Sequence, residues 1–305
     1  MRRDFYYPSC GKGNLHGCRW TPEGEPVAVV QIIHGIAEYV ERYDAFARFL
    51  NERGILVVAE DHMGHGKSVG TEGALGYFDG GWFSAVEDSY RLLRDTRQEF
   101  PEIPYVLFGH SMGSFLARTI LEKYPDSGIT AAVICGTAWQ PAWLLRVAIG
   151  ACKLVCKREG ERTPSPKLES LVFGSYNNRV EHKRTAFDWL TRDDRIVDAY
   201  VADPLCGFTA TAGLLRDMLT GIAWIQKREN LEKMRRDLPV LFVAGGDDPV
   251  GNYGRGVAAA EEAFRKAGMT DVTRKIYPLC RHEILNELNR EEIYGDIFRW
   301  ISQKI

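Results

Sequence analysis

The 305-residue sequence predicts an α/β fold with a mostly parallel central sheet flanked by helices, and three observations carry that prediction. Short apolar runs alternate with longer helix-like segments in the first and last parts of the chain. One of those runs ends in Gly109-His110-Ser111-Met112-Gly113, and a helical pattern starts at once, a strand–turn–helix junction. Between Trp139 and about Arg236 the alternation stops and helical patterns stand with little strand character. The simplest architecture is one α/β domain over residues 1–138 and 237–305, interrupted by a helical insertion over 139–236.

Each element has its own signal. Arg3 to Tyr7 and Leu15 to Thr21 read as short strands with polar flanks, an antiparallel start. Val27-Ala-Val-Val-Gln-Ile-Ile33 is a near-continuous β-branched run, the pattern of a strand buried on both faces. A helix from about Arg42 to Arg53 and the strand Ile55 to Ala59 follow. A second helix runs from about Trp82 to Phe100 and stops at Pro101. Then come the strand from Tyr105, the helix to about Tyr124 and the strand Ala131 to Cys135. Inside the insertion, Pro141 to Lys157 reads as an amphipathic helix with apolar Trp143, Leu144, Val147, Ala148, Ala151 and Val155. Its apolar face is expected to pack the insertion onto the core, with lining a ligand pocket or touching lipid as the other use. Glu159 to Asn178 reads as turn-rich, with Pro164, Pro166, Gly174 and Asn177-Asn178. The alternation resumes with the strand Val240 to Ala244, a helix from about Tyr253 to Ala267, the strand Val272 to Tyr277 and a helix from about Arg290 to Ser302.

Composition narrows the function classes. A net charge of -2 with scattered Lys and Arg argues against nucleic acid as a partner. No run reaches the length of a spanning helix, and Met1 to Pro8 has basic residues but no apolar core of a secretory signal. Seven cysteines without paired C-x-x-C spacing read as free thiols in a reducing cytoplasm. Neither Cys152 with Cys156 nor His62 with His65 has the partners of a metal site, so neither metal nor cofactor is expected.

The junction at Ser111 carries the chemistry. Glycines at 109 and 113 permit a turn too tight for side chains, which forces the serine out at the top of a sheet. The following helix N-terminus favours a developing oxyanion. A serine at its ordinary pKa is a poor nucleophile, so a histidine base and an acid that orients it are required. Such groups gather at the C-terminal ends of parallel strands. His282 follows the last strand and suits the order Ser, Asp, His, whereas His110 belongs to the turn and is expected to point away from the serine's side. His182 reads as a surface residue. For the acid, Asp247 and Asp248 both end the strand before, and Asp248 is preferred, though chemistry alone leaves Asp247 open. The oxyanion donors are expected from the backbone N–H groups of Met112 and of Ile36, in the loop after Ile33.

Four motifs carry a resemblance. They are His34-Gly35 with Ile36-Ala-Glu38, Asp61-His-Met-Gly-His-Gly-Lys-Ser68, Gly109 to Gly113, and Gly245-Gly-Asp-Asp248 with His282-Glu283. On these the chain resembles an α/β-hydrolase of the monoacylglycerol lipase and lysophospholipase group, also classed as serine-aminopeptidase-like. The resemblance spans residues 27–138 and 237–285, and it implies the α/β-hydrolase fold with Ser111, Asp248 and His282 as triad and Ile36 and Met112 as oxyanion donors. It implies that residues 139–236 form a cap, or lid, over an acyl pocket, and that His62 and His65 shape a loop beside the core. Asp188-Trp189-Leu-Thr-Arg and Val201 to Phe208 resemble bacterial lysophospholipases.

The expected function is therefore hydrolysis of small acyl esters of the monoacylglycerol or lysophospholipid kind, with at most transient membrane contact. The alternatives are an amidase or aminopeptidase, for which Glu159, Glu161, Glu169 or Glu181 would hold an amine, and a non-catalytic ligand-binding protein of the same fold.

Overall fold

The computed structural model describes residues 1–69 and 75–305. Its strands are β1 (Arg2–Pro8), β2 (Asn14–Trp20), β3 (Ala28–Ile33), β4 (Ile55–Glu60), β5 (Tyr105–His110), β6 (Ala131–Cys135), β7 (Val240–Gly245) and β8 (Val272–Tyr277). They form one sheet in the order β1-β2-β4-β3-β5-β6-β7-β8. The pairs β1–β2 and β2–β4 are antiparallel, and every pair from β4 to β8 is parallel. This is the α/β-hydrolase fold, a mostly parallel sheet flanked by helices.

The helices over the sheet are α1 (Asp44–Asn51), α2 (Trp82–Glu99), α3 (Met112–Lys123), α9 (Arg255–Lys266) and α10 (Arg290–Ser302). Between β6 and β7 the chain makes α4 (Ala142–Glu159), α5 (Pro166–Phe173), α6 (Asp194–Ala202), α7 (Ala212–Ile225) and α8 (Arg228–Leu231). The central strands are buried along their whole length, because helices cover both faces of the parallel sheet. Each wholly buried Val or Ile there contributes roughly 1.5–3 kcal/mol. Gln31, polar in the middle of β3, is satisfied on both ends. Its Nε2 donates to Ser89 O at 2.9 Å and its Oε1 accepts from Tyr105 OH at 2.7 Å.

Three local expectations need correction. The segment expected as one helix from Arg42 starts with a 3₁₀ turn, Val40–Tyr43, before α1. The piece read as turn-rich contains the helix α5, because its proline stands at the first helical position, where the missing N–H costs nothing. In α4 the buried residues are Leu145, Cys152 and Cys156, while Trp143, Leu144 and Val147 of the expected packing face are exposed. The α4 helix packs against α7 along that stripe, Ala148, Ala151 and Val155 are partly buried beside it, and Leu144 and Val147 border a cavity next to Ser111.

The strand order reverses at β3, whose neighbours β4 and β5 lie on either side. Ligand sites of open α/β sheets open beyond the carboxyl ends of strands at such a point. The loop after β3 holds Gly35 and Ile36, and the turn after β5 holds Ser111.

Candidate active site

Ser111 sits between β5 and α3 with φ of 53°, a left-handed conformation that costs a non-glycine residue energy. The turn closes because its glycines admit backbone where a side chain would stand. A Cβ on Gly113 would fall on the Ile33 carbonyl oxygen and lie 2.6 Å from that of His34. Glycine there lets α3 press against the end of β3. Met112 opens α3, so its N–H is among the first-turn amides that lack an intrahelical acceptor.

The loop after β3 approaches the same point, and a Cβ on Gly35 would lie 3.1 Å from Ser111 Cβ. Gly35 N–H is already used, donating to Glu38 Oε1 at 2.7 Å. The next residue in that loop, Ile36, lines the cavities around Ser111.

His282, in the loop after β8, donates from Nδ1 to Asp248 Oδ1 at 3.0 Å. Asp248 follows β7, is wholly buried and also accepts from Val250 N–H at 2.8 Å. Asp247 is exposed and its backbone N–H bonds to Cys280 O. The structure thus brings Asp248, and not Asp247, to the imidazole of His282. Both His282 and Ser111 border one cavity. Gly136, at the end of β6, leaves room for the ring, since a Cβ there would lie 3.0 Å from His282 Cε1.

Two cavities meet at Ser111 and Ile36. The larger, about 820 Å³, lies between α4, α5 and α7 on one side and α3 and α9 on the other, and is lined by apolar residues including Leu145, Val172, Leu219 and Ile222. The smaller, about 250 Å³, carries polar groups, among them Glu38, His110, Glu169 and Glu283.

Residues 24–289 match the serine aminopeptidase S33 family. The chain belongs to that family. It is 29% identical over 284 residues to a monoacylglycerol lipase of Mycolicibacterium smegmatis, covering 92% of this chain and 90% of that protein. It is 28% identical to the human monoglyceride lipase over 293 residues, covering 94% of this chain and 86% of the relative. Among solved structures, a thermostable carboxyl esterase from Bacillus coagulans superimposes with a TM-score of 0.92 at 30% identity, over 99% of this chain and 98% of the other.

Around the site of this S33 member lies a buried charged network that the sequence reading did not assemble. Glu38 Oε1 accepts from Tyr43 OH at 2.8 Å and from His110 Nδ1 at 3.0 Å. Arg42 joins Glu38 Oε2 at 3.0 Å to both oxygens of Glu283. Burial alone would raise Glu38, but the hydrogen bond and charge of His110 and the charge of Arg42 hold it well below the usual carboxylate range. Burial would lower His110, and the same bond and charge of Glu38 outweigh it and raise the pKa. His110 does not point out of the site as expected. Its ring lies 4.8 Å from that of His282 and borders the smaller cavity, because the loops bearing Glu38 and His282 wrap around the end of β5. The signal for the network was present in Glu38 and Glu283, which belong to the His34–Glu38 and His282-Glu283 motifs, but nothing in the spacing paired them through Arg42.

The segment between β6 and β7 also reaches the S33 site. Glu283 N–H donates to Leu190 O at 2.7 Å, and the Trp189 ring lies 5.2 Å from that of His282. Tyr200 OH donates to Ala37 O at 2.8 Å, bracing the loop that carries Ile36. His34, His62 and His65 form a buried cluster, with His62 N–H donating to His34 Nε2 at 3.0 Å. His182 is exposed.

Proposed function

We propose that this S33-family chain, a carboxylic ester hydrolase, cleaves monoacylglycerol-like or lysophospholipid-like esters through Ser111, His282 and Asp248. One observation carries the reading. Ser111 and Ile36 border both a larger cavity and a smaller one that carries the carboxylates Glu38, Glu169 and Glu283 among apolar side chains, so an ester at Ser111 has room for an acyl chain in the larger and a head group in the smaller. In this reading residues 139–236 are a cap that closes both chambers over the core.

His282 takes the proton of Ser111 as Oγ attacks the ester carbonyl. The N–H groups of Ile36 and Met112 hold the oxyanion, a contribution on the order of 10²–10³ in turnover for each donor in comparable sites. The protonated His282 passes its proton to the leaving alcohol, and Asp248 stabilises the imidazolium in between. Water then enters, loses a proton to His282 and frees the acid from the acyl-enzyme. The similarity to monoacylglycerol lipases over most of both chains supports the substrate class.

Trp143, Val147 and Leu171 are exposed on the cap, beside Arg146. They suit brief contact with a lipid surface from which a substrate is drawn. Among the described residues no helix is long and apolar enough to cross a membrane. Seven unpaired cysteines suit the reducing cytoplasm as its place of work.

One observation favours a second reading. Of the four acidic residues considered as amine holders, Glu169 alone borders the smaller cavity, where it could accept the α-amine of an aminoacyl amide. A hydrolysis panel separates the two. Purified protein is given acyl esters from short to long chains, monoacylglycerols, lysophosphatidylcholine and aminoacyl anilides. Esters and monoacylglycerols are expected to turn over, and Ser111→Ala is expected to abolish both this and fluorophosphonate labelling. Turnover of the anilides alone would replace the lipase reading with the peptidase one.

A further inference from the structure

Far from Ser111, the edge ribbon β1–β2 brings three metal-ligating side chains together. Asp4 and Cys18 are direct cross-strand partners, and His16 lies two residues before Cys18, on the same face of β2. Cys18 Sγ lies 3.3 Å from Asp4 Oδ1 and 3.8 Å from His16 Nε2, and His16 Nε2 lies 3.4 Å from Asp4 Oδ2. An ion bound tetrahedrally at the usual zinc–sulfur, zinc–nitrogen and zinc–oxygen lengths sets its ligand atoms ~3.3–3.6 Å apart. Each contact is close to that range, with Cys18 and His16 facing different oxygens of Asp4, and one ligand atom from each of the three residues lies within 4.8 Å of the other two.

The supporting geometry is also that of a metal centre. Asp61 Oδ2 accepts from His16 Nδ1 at 2.7 Å, which fixes the tautomer and turns the Nε2 lone pair towards Cys18 and Asp4. Asp61 is itself wholly buried and held by the N–H groups of Val40 and Lys67. His16 and Cys18 are buried, while Asp4 is 40% exposed, so an ion has an entry path and a fourth position open to water.

Two cations stand nearby. Arg2 Nη2 lies 3.4 Å from Cys18 Sγ, and Lys67 Nζ lies 3.7 Å from Asp4 Oδ2. Each also reaches Glu41 Oε1, at 2.8 Å, and keeps that partner if an ion displaces it from the ligands.

We propose that Asp4, His16 and Cys18 form a three-ligand site for a zinc-class divalent ion, distinct from the ester-cleaving site. Cysteine sulfur, imidazole nitrogen and one carboxylate oxygen are the ligand set of zinc rather than of magnesium or calcium. On binding, the thiol proton leaves to solvent, and the thiolate and carboxylate together neutralise the dication. The ion clamps β1 to β2 and, through Asp61, to the loop that Asp61 anchors. Spacing along the chain could not reveal the site, because Asp4 joins the other two only across the ribbon.

The test uses cobalt(II) as the spectroscopic probe, added to the reduced full-length protein. One equivalent is expected to give tetrahedral d–d bands with a thiolate charge-transfer band, and zinc is expected to bleach both. Cys18→Ala should lose the charge-transfer band, and Cys10→Ala, which removes the exposed thiol, should keep it. Asp4→Asn, at a half-exposed edge position, should weaken binding at least ~10-fold. Zinc should raise the melting temperature of the wild type and of Cys10→Ala, but not of Cys18→Ala. No thiolate band in the wild type, the same band in Cys18→Ala, or unchanged affinity in Asp4→Asn would each overturn the site. Ester hydrolysis should be the same in all of these proteins, so the outcome is independent of the reading of Ser111.

Discussion

Asp248 holds His282 from below, with Oδ1 at 3.0 Å from Nδ1, while the neighbouring Asp247 faces solvent. The two adjacent carboxylates therefore differ in what they can do. One accepts the hydrogen bond of the His282 ring, the position a triad acid takes, and the other ends a turn.

Asp248→Asn is expected to lower kcat on a p-nitrophenyl ester by on the order of 10⁴, the loss seen when the acid of a comparable triad is made neutral. Asp247→Asn is expected to stay within about 3-fold of the wild type, since surface changes away from such contacts move little. Steady-state kinetics on both variants decides it. A larger loss in Asp247→Asn would reassign the acid.

Arg42 bridges Glu38 and Glu283, and the side chains of all three are largely buried. Removing the cation leaves Glu283 without its ion pair and Glu38 with His110 and Tyr43 as its remaining partners in a low-dielectric region. Arg42→Met should cost about 3–5 kcal/mol of unfolding free energy in urea. It should also reduce turnover, because Glu38 positions Gly35 next to Ile36. A variant as stable as the wild type would show that the network is not held by charge.

The buried imidazoles give a pH signature. Burial lowers the His62 pKa to about 4, and burial together with the charge of His62 lowers His65 to about 3, from 6.5. Below pH 6.5 the unfolded chain takes up protons that the folded chain refuses until those lower values. The unfolded state then binds more protons, so stability is lost as pH falls from about 6.5 towards 4. Each ring contributes a slope approaching about 1.4 kcal/mol per pH unit. His65→Phe, beside Phe78 and Phe208, should flatten the curve of unfolding free energy against pH by one ring's share. An unchanged slope would remove His65 from the account.

Chain-length preference should follow the larger cavity. Leu219, on α7, faces it, and Leu219→Trp shortens the space available. Long-chain esters are expected to lose at least about 10-fold in kcat/KM, while esters of two to four carbons stay within about 3-fold. Equal losses at every length would place the acyl chain elsewhere.

Much of the fold was legible in the sequence because its signals are local. Burial on both faces forces the near-continuous apolar run of β3, and a tight turn at Ser111 forces glycine at 109 and 113. The helix α5 was missed because Pro166 is read as a breaker, although at the first helical position it is compatible with a helix. The apolar stripe of α4 was only partly legible, since a helix that is apolar on most sides does not say that Leu145, Cys152 and Cys156 are buried while Leu144 and Val147 border the larger cavity.

The sequence by itself determined the fold class, the turn that presents Ser111 and the strand ends where Asp248 and His282 stand, all of which rest on neighbours in the chain. Only the tertiary structure decided which aspartate meets the imidazole, how Arg42 joins Glu38 to Glu283, and that Asp4 faces His16 and Cys18. Those relationships join residues separated by up to 241 positions, and only the packing of loops and strands brings them within hydrogen-bond reach.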